Sequence, residues 1–135
     1  MAGVIQNASR QLMGQQSTNT SAGQNLTLRL FQNNVTPALT DTASIYIEAN
    51  FTGYAAAALT AASWSWTSAE PSVGTYPQVT FTSSANQTLQ NIYGYYLTRV
   101  DGSLYGSERF SSPPAPYAIS VTGQTIQVTP TVSMT

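Results

Sequence analysis

The chain has 135 residues and 14.4 kDa, the size of one domain, with four basic residues, five acidic residues, no His and no Cys. Only 7% of it is charged, against about 25% in an average globular chain, while 19 Thr, 16 Ser, 11 Gln and 8 Asn give 54 side chains ending in a neutral amide or hydroxyl. These numbers exclude thiolate and imidazole metal sites, Cys nucleophiles, His general bases and a disulfide framework; a net charge of −1 with four scattered Arg also excludes the basic patch that nucleic-acid affinity needs.

Stability must then come from the core or from an oligomeric interface. A net charge near zero sets little repulsion between copies of the chain. The longest apolar run, 54–59, falls far short of the roughly 20 residues of a membrane helix, and no signal-like apolar core stands near the start. Synthesis in the cytosol and no membrane partner are the expectations.

In chain order, residues 1–24 form an arm and linker of low complexity, and 25–135 form the folded domain. Val4, Ile5, Ala8 and Leu12 are spaced to stripe one face of a short helix over 2–13, ended by Gly14, with 15–24 as linker. A helix of that length is marginal alone. It is either a frayed terminus or an arm that orders on a neighbouring subunit.

From residue 25 the period is two. Leu26, Leu28 and Leu30 alternate with Thr27, Arg29 and Phe31 in a strand over 25–31, the pattern of a strand between two layers. A strand over 44–48 puts Ile45 and Ile47 on one side and Tyr46 and Glu48 on the other. Strands are predicted over 54–59, 63–67, 78–83 (Val79 and Phe81 inward), 91–100, 103–110, 118–121 and 125–132. The Ala-rich run 55–62 reads equally as a close-packed edge or a short helical turn. Turn chemistry separates these elements: Asn33-Asn34-Val35-Thr36-Pro37, Glu70-Pro71, Asp101-Gly102, Pro113-Pro114-Ala115-Pro116 and Thr122-Gly123. Short strands at turn-bounded intervals with no helix after residue 24 predict an all-β antiparallel sandwich or jelly roll.

Asp101-Gly102 predicts a hairpin with a two-residue turn. Its register pairs Val100 with Ser103, Thr98 with Tyr105, Tyr96 with Ser107, Tyr95 with Glu108 and Tyr93 with Phe110. Tyr93, Tyr95, Leu97 and Phe110 then share one face, and Ile92, Tyr96, Val100 and Tyr105 the other. Neither face is polar enough to be fully solvated, so one meets the core and the other a partner or second layer. Val4, Ile5, Arg10, Leu12, Tyr93, Tyr95 and Phe110 are the candidate interface residues.

Candidate chemistry is sparse. Glu48 and Glu108 are the best pair of carboxylates, and a glycosidase-type arrangement would hold them about 5–10 Å apart in a cleft; pairing with Arg or facing solvent is the favoured reading. Asp41 reads as a turn residue capping backbone amides, and Asp101 belongs to the hairpin turn. The acidic residues are too dispersed to suggest calcium, so no metal or cofactor is expected. Trp64 and Trp66 lie on one side of a strand, where burial as core anchors is favoured over an exposed sugar-stacking platform. Six Asn-X-Ser/Thr sequons (Asn7, Asn19, Asn25, Asn34, Asn50, Asn86) follow from composition.

The ordered set Leu28-Arg29-Leu30-Phe31-Gln32-Asn33-Asn34-Val35-Thr36-Pro37, Glu48-Ala49 before Gly53-Tyr54, Ser63-Trp64, Thr80-Phe81-Thr82, Ile92-Tyr93-Gly94-Tyr95-Tyr96, Glu108-Arg109-Phe110 and Ile126-Gln127-Val128-Thr129-Pro130 resembles a family of small structural proteins of tailed bacteriophages. The resemblance spans residues 26–133. It implies a virion component, read as a head decoration (cement) protein that binds the major capsid protein lattice as a homotrimer, with no catalytic motif to transfer. It also implies that 93–96 and Glu108-Arg109-Phe110 form a structural hairpin. The N-terminal arm departs from the family in composition, with Gln and Asn replacing charged residues. The alternative is a tail or fibre module that binds a receptor glycan through exposed aromatics (Trp64, Trp66, Tyr93, Tyr95). An enzyme, the remaining class, would need a cleft joining Glu48 or Glu108 to a second carboxylate.

Overall fold

The computed structural model describes residues 4–5, 25–68, 72–111 and 116–134. The chain is all-β, with β1 (Val4–Ile5), β2 (Leu26–Phe31), β3 (Ala57–Leu59), β4 (Ser65–Trp66), β5 (Ser72–Thr75) and β6 (Val79–Thr82). The later strands are β7 (Gln90–Ile92), β8 (Gly94–Thr98), β9 (Leu104–Arg109), β10 (Tyr117–Ile119), β11 (Thr125–Val128) and β12 (Thr131–Met134). All pairings are antiparallel: one five-stranded sheet in the order β1-β9-β8-β2-β3, two two-stranded sheets, β10-β7 and β11-β6, and a three-stranded sheet β12-β5-β4.

The arrangement is sandwich-like, and alternation in β2 explains why. Leu26, Leu28 and Leu30 point to the inner face and join Tyr95, Leu97, Ile92, Phe81, Ile119, Ile126, Val128 and Val132 in one core. The last six come from the smaller sheets, so burial of this apolar surface, at roughly 25 cal/mol per Å², holds the two layers together. Val79 and Phe81 pack inward as predicted, and Trp64 lies against the core edge-on to Tyr76, 5.3 Å between ring centres.

The second layer is broken because two prolines interrupt it. Residues 72–82 and 125–134 run as one long antiparallel ribbon, with β5 on β12 and β6 on β11. Pro77 and Pro130 stand at the joint, and proline has no N–H to carry the ladder through. Pro130 still accepts from Tyr76 N at 3.0 Å. The single strand predicted over 125–132 is therefore two strands with a kink between them.

The β8–β9 hairpin keeps the predicted register over its body: Gly94 opposes Arg109, Tyr95 Glu108, Tyr96 Ser107 and Leu97 Gly106. Its tip differs. Arg99 N donates to Ser103 O, Gly102 N donates to Arg99 O, and Gly102 has φ +87°. This is a three-residue loop with the glycine in the left-handed region, not a two-residue turn. The loop shifts the pairing by one residue, so Thr98 opposes Leu104, and a bulge at Tyr105 restores the register below it. Asp101 stabilises the loop by accepting from Ser103 N and Oγ at 2.9 and 2.6 Å.

Two expected elements take other forms. The Ala-rich run is both of its alternatives at once, an edge strand β3 on β2 followed by a 3-10 turn, Ala61–Ser63. The predicted strand over 44–48 is a 3-10 turn, Ala43–Ile45, followed by a single bridge from Glu48 to Phe31.

In the N-terminal arm, Val4–Ile5 is a strand rather than part of a helix, pairing Val4 with Ser107 and Ile5 with Gly106 of β9. The rest of the predicted helix and linker, with Arg10 and Leu12, lies outside the described residues.

Candidate functional site

The outer face of the five-stranded sheet, turned away from the main core, carries most of the polar chemistry. Cross-strand partners share a face, so the register puts Thr27, Arg29, Phe31, Tyr96, Thr98, Leu104 and Ser107 there. Phe31, Tyr46, Tyr96 and Leu104 form a second buried cluster with Val35, Ala43 and Tyr93 packed on it. Tyr46 stacks on Tyr96 at 5.1 Å and 17°, and its ring centre is 4.8 Å from that of Phe31. The segment 33–48 supplies Val35, Ala43 and Tyr46, and so covers the sheet as an irregular third layer.

Hydrogen bonds staple this cover down. The Asn33 side chain acts as a strand partner would, donating to Ile45 O at 2.8 Å and accepting from Ile47 N at 2.9 Å. Tyr46 donates its hydroxyl to Asp41 Oδ2 at 2.6 Å and lies 2.9 Å from Ser107 Oγ. Burial, then the bond to Asp41, raises the Tyr46 pKa above that of a free phenol. Asp41 also accepts from Ala38 N at 2.9 Å, the capping role expected of it. Arg109 donates to Asn34 Oδ1 and Val35 O at 2.6 and 3.1 Å, and its guanidinium lies 5.2 Å from the centre of the Tyr93 ring.

Glu48 is held in this face. Arg29 donates from one guanidinium nitrogen to both carboxylate oxygens at 3.0 Å and from Nε to Thr98 Oγ1 at 3.1 Å. Tyr54 donates to Glu48 Oε2 at 2.7 Å while its hydroxyl oxygen accepts from Leu30 N at 3.2 Å. That backbone N–H lies beyond the end of the β2–β3 ladder, so the tyrosine fills a place the sheet edge leaves open.

Glu108 is on the other face. It opposes Tyr95, which opposes Leu30, and both of these belong to the inner core. Burial raises its carboxyl pKa above the usual range, only partly offset by the Tyr95 hydroxyl. The sheet thus stands between Glu48 and Glu108, and the two carboxylates share no cleft. Among the described residues there is no group of three or more His, Cys, Asp or Glu able to hold a metal ion, and no helix long and apolar enough to cross a membrane.

The tyrosines predicted as one interface patch are divided by the sheet. Tyr95 is 2% exposed and a core residue, which removes it from any surface. Phe110 is half-buried on the same core, edge-on to Tyr117 at 5.1 Å. Tyr93 instead packs on the outer cluster, while Ile92 and Tyr105 belong with the core. The alternation slips at Gly94, where a Cβ would strike the Phe31 ring and the Glu108 carbonyl. There the chain passes from pairing with β10 to pairing with β2. Val100, placed on a sheet face by the sequence, is 80% exposed at the hairpin tip. Trp66, expected to be buried with Trp64, is 47% exposed, because it ends an edge strand and its ring lies across Gly74.

What the sequence pattern missed is the outward side of the cover. Ile45 and Ile47 do lie opposite Tyr46 and Glu48, but it is the isoleucines that face solvent, 42% and 56% exposed, with Leu39 on the same segment at 46%. Asn33 holds Ile45 and Ile47 in place through their backbones. Among the described residues the other large exposed apolar side chains are Trp66, Leu89, Val100 and Val121. No protein-family model, curated protein or solved structure matches the chain.

Proposed function

We propose that the chain is a bacteriophage head decoration (cement) protein, a homotrimer that binds the outer surface of the major capsid protein lattice in the virion and strengthens it by non-covalent contacts. The observation that carries this reading is the covered outer face: a polar layer stapled to the sheet that turns its aliphatic side chains, Ile45, Ile47 and Leu39, to solvent. Neutral hydroxyl and amide surface is far less costly to bury than charge, and exposed aliphatic side chains on an ion-poor surface suit an adhesive role. A shell gains stability because many modest interfaces have to open together. The carboxylates support the same reading, since Glu48 serves the sheet edge and Glu108 lies behind it, so no enzymatic role is proposed.

The arm adds contact beyond the compact body. Deleting residues 1–20 should weaken attachment to capsids, measured by co-sedimentation with shells, while circular dichroism reports an intact β domain. Unchanged occupancy of the shells would contradict the arm's part in the function.

A second reading, a tail or fibre module binding a glycan, is favoured by one observation: Trp66 is 47% exposed with its ring against Gly74, and an exposed indole is a surface on which a sugar ring can stack. Glycan binding lost in Trp66→Ala with the fold retained would select it.

A further inference from the structure

We infer that β11 is an adhesive edge, which pairs antiparallel with β11 of a second copy about a two-fold axis at Gln127. This rests on the self-associating reading above and adds to it a contact between one oligomer and the next.

The backbone shows which groups are on offer. Ser83 N donates to Gln124 O at one end of the β6–β11 ladder, and Tyr76 N donates to Pro130 O just beyond the other. Successive residues of a strand turn their N–H and C=O to opposite sides, so Gln124, Ile126, Val128 and Pro130 face the partner strand. Thr125, Gln127 and Thr129 face away. Among the described residues nothing donates to or accepts from the backbone of these three. The next outward position, Thr131, is closed by the Tyr95 hydroxyl, to which its N–H donates at 3.2 Å. The open edge is therefore 125–129, and unpaired edge groups template a further strand. Pro130 removes no donor from it, because that residue faces inward.

The sequence of the edge says what fills it. Thr125-Ile126-Gln127-Val128-Thr129 reads nearly alike in both directions. With two copies antiparallel about Gln127, each Gln127 opposes the other, each Thr125 opposes Thr129, and each Ile126 opposes Val128. The outward-facing residues become the hydrogen-bonded pairs, the exposed hydroxyls meet as Thr–Thr pairs, which are favourable across strands, and the two amides face each other. Ile126 and Val128 remain buried in their own cores. No charged residue follows Arg109 in the chain, so the edge carries none of the lysines that guard exposed strands and sets no like charges opposite each other. A two-fold contact is self-complementary and cannot build a three-fold ring, so it joins different trimers. An edge this short is far smaller than a stable interface between free particles; it acts where copies already lie side by side on a shell, at high effective concentration.

The chain has no cysteine, so introduced thiols can map the register. Opposed residues of an antiparallel pair have Cα atoms about 4.5–5.5 Å apart, within disulfide range. The full-length protein is oxidised in a concentrated glutathione buffer and run on a non-reducing denaturing gel, with circular dichroism confirming the fold of each variant. Gln127→Cys should give a covalent dimer and nothing larger. Its yield should exceed that of Thr80→Cys, on the neighbouring strand and the same exposed face, by about tenfold, since a disulfide requires Cα atoms within about 7 Å. Thr125→Cys and Thr129→Cys should link when mixed and not when alone, where the offset along the strands is about 14 Å. Equal yields from Gln127→Cys and Thr80→Cys, or linking of Thr125→Cys alone as readily as in the mixture, would overturn the proposal. So would an edge that takes a strand of another protein, since the pure chain would then show no register dependence. The mass of the unsubstituted protein separates the two readings: a trimer without register-specific links overturns the edge contact alone, and a monomer with them overturns the trimer alone.

Discussion

Glu48 and Glu108 stand on opposite faces of one sheet, and their surroundings differ as the faces do. Glu48 ends the cover segment, with a guanidinium on both of its oxygens and a tyrosine hydroxyl at 2.7 Å. Glu108 lies at the margin of the apolar core, where burial disfavours its charge, and among the described residues Arg29–Glu48 is the ion pair that forms. The outer face is a polar network that uses its charge to hold a sheet edge. The inner face is an apolar layer that carries a charge at a cost. The same residue type is thus a fastening on one side and a burden on the other, which explains how a chain with so few charges can still depend on one of them.

Neutralising each carboxylate should separate these roles. Glu48→Gln removes the bidentate acceptor of Arg29 while both side chains stay about one-third exposed. The expected loss is about 1–2 kcal/mol, between the worth of a surface pair and that of a buried one, read as a lower urea midpoint with an unchanged slope. No change would mean that the network does not hold the edge. Glu108→Gln should act in the opposite direction and more weakly. The folded-state pKa of Glu108 is raised, so its favourable contribution is complete below the unfolded pKa and is lost as pH rises through the folded value. At pH about 7 the charged form opposes folding, and the variant should be the more stable protein; below pH about 4, where the carboxyl is protonated in both states, the advantage should vanish. Thermal melts at the two pH values check this, and a variant less stable at neutral pH would contradict the account of the inner face.

The inner face was legible in the sequence because alternation there is strict. The leucines of β2, the inward Val79 and Phe81, and the pairing of 94–97 with 106–109 all follow from period two and the Asp101-Gly102 signal. The outer face was not, for three physical reasons. In 44–48, Ile45 and Ile47 alternate with Tyr46 and Glu48, and period two fixes sides without saying which is inward; the ring partners Phe31 and Tyr96, distant in sequence, decide it. At Gly94 the alternation slips because the backbone changes partner, which moves Tyr93 outward and Ile92 inward and leaves Tyr95 in the core. At the tip, an extra loop residue and a compensating bulge cancel, so the body register was right although the turn was not. The exposed isoleucines carried only a weak signal: apolar residues in a stretch begun by turn-forming Asn and Pro, where a covering loop is as natural as a strand.

The proposed adhesion between like molecules is read from the mass of the purified full-length chain in solution. Light scattering should return about three times the 14.4 kDa of one chain, holding steady on dilution through the micromolar range. A mass of one chain throughout would contradict it.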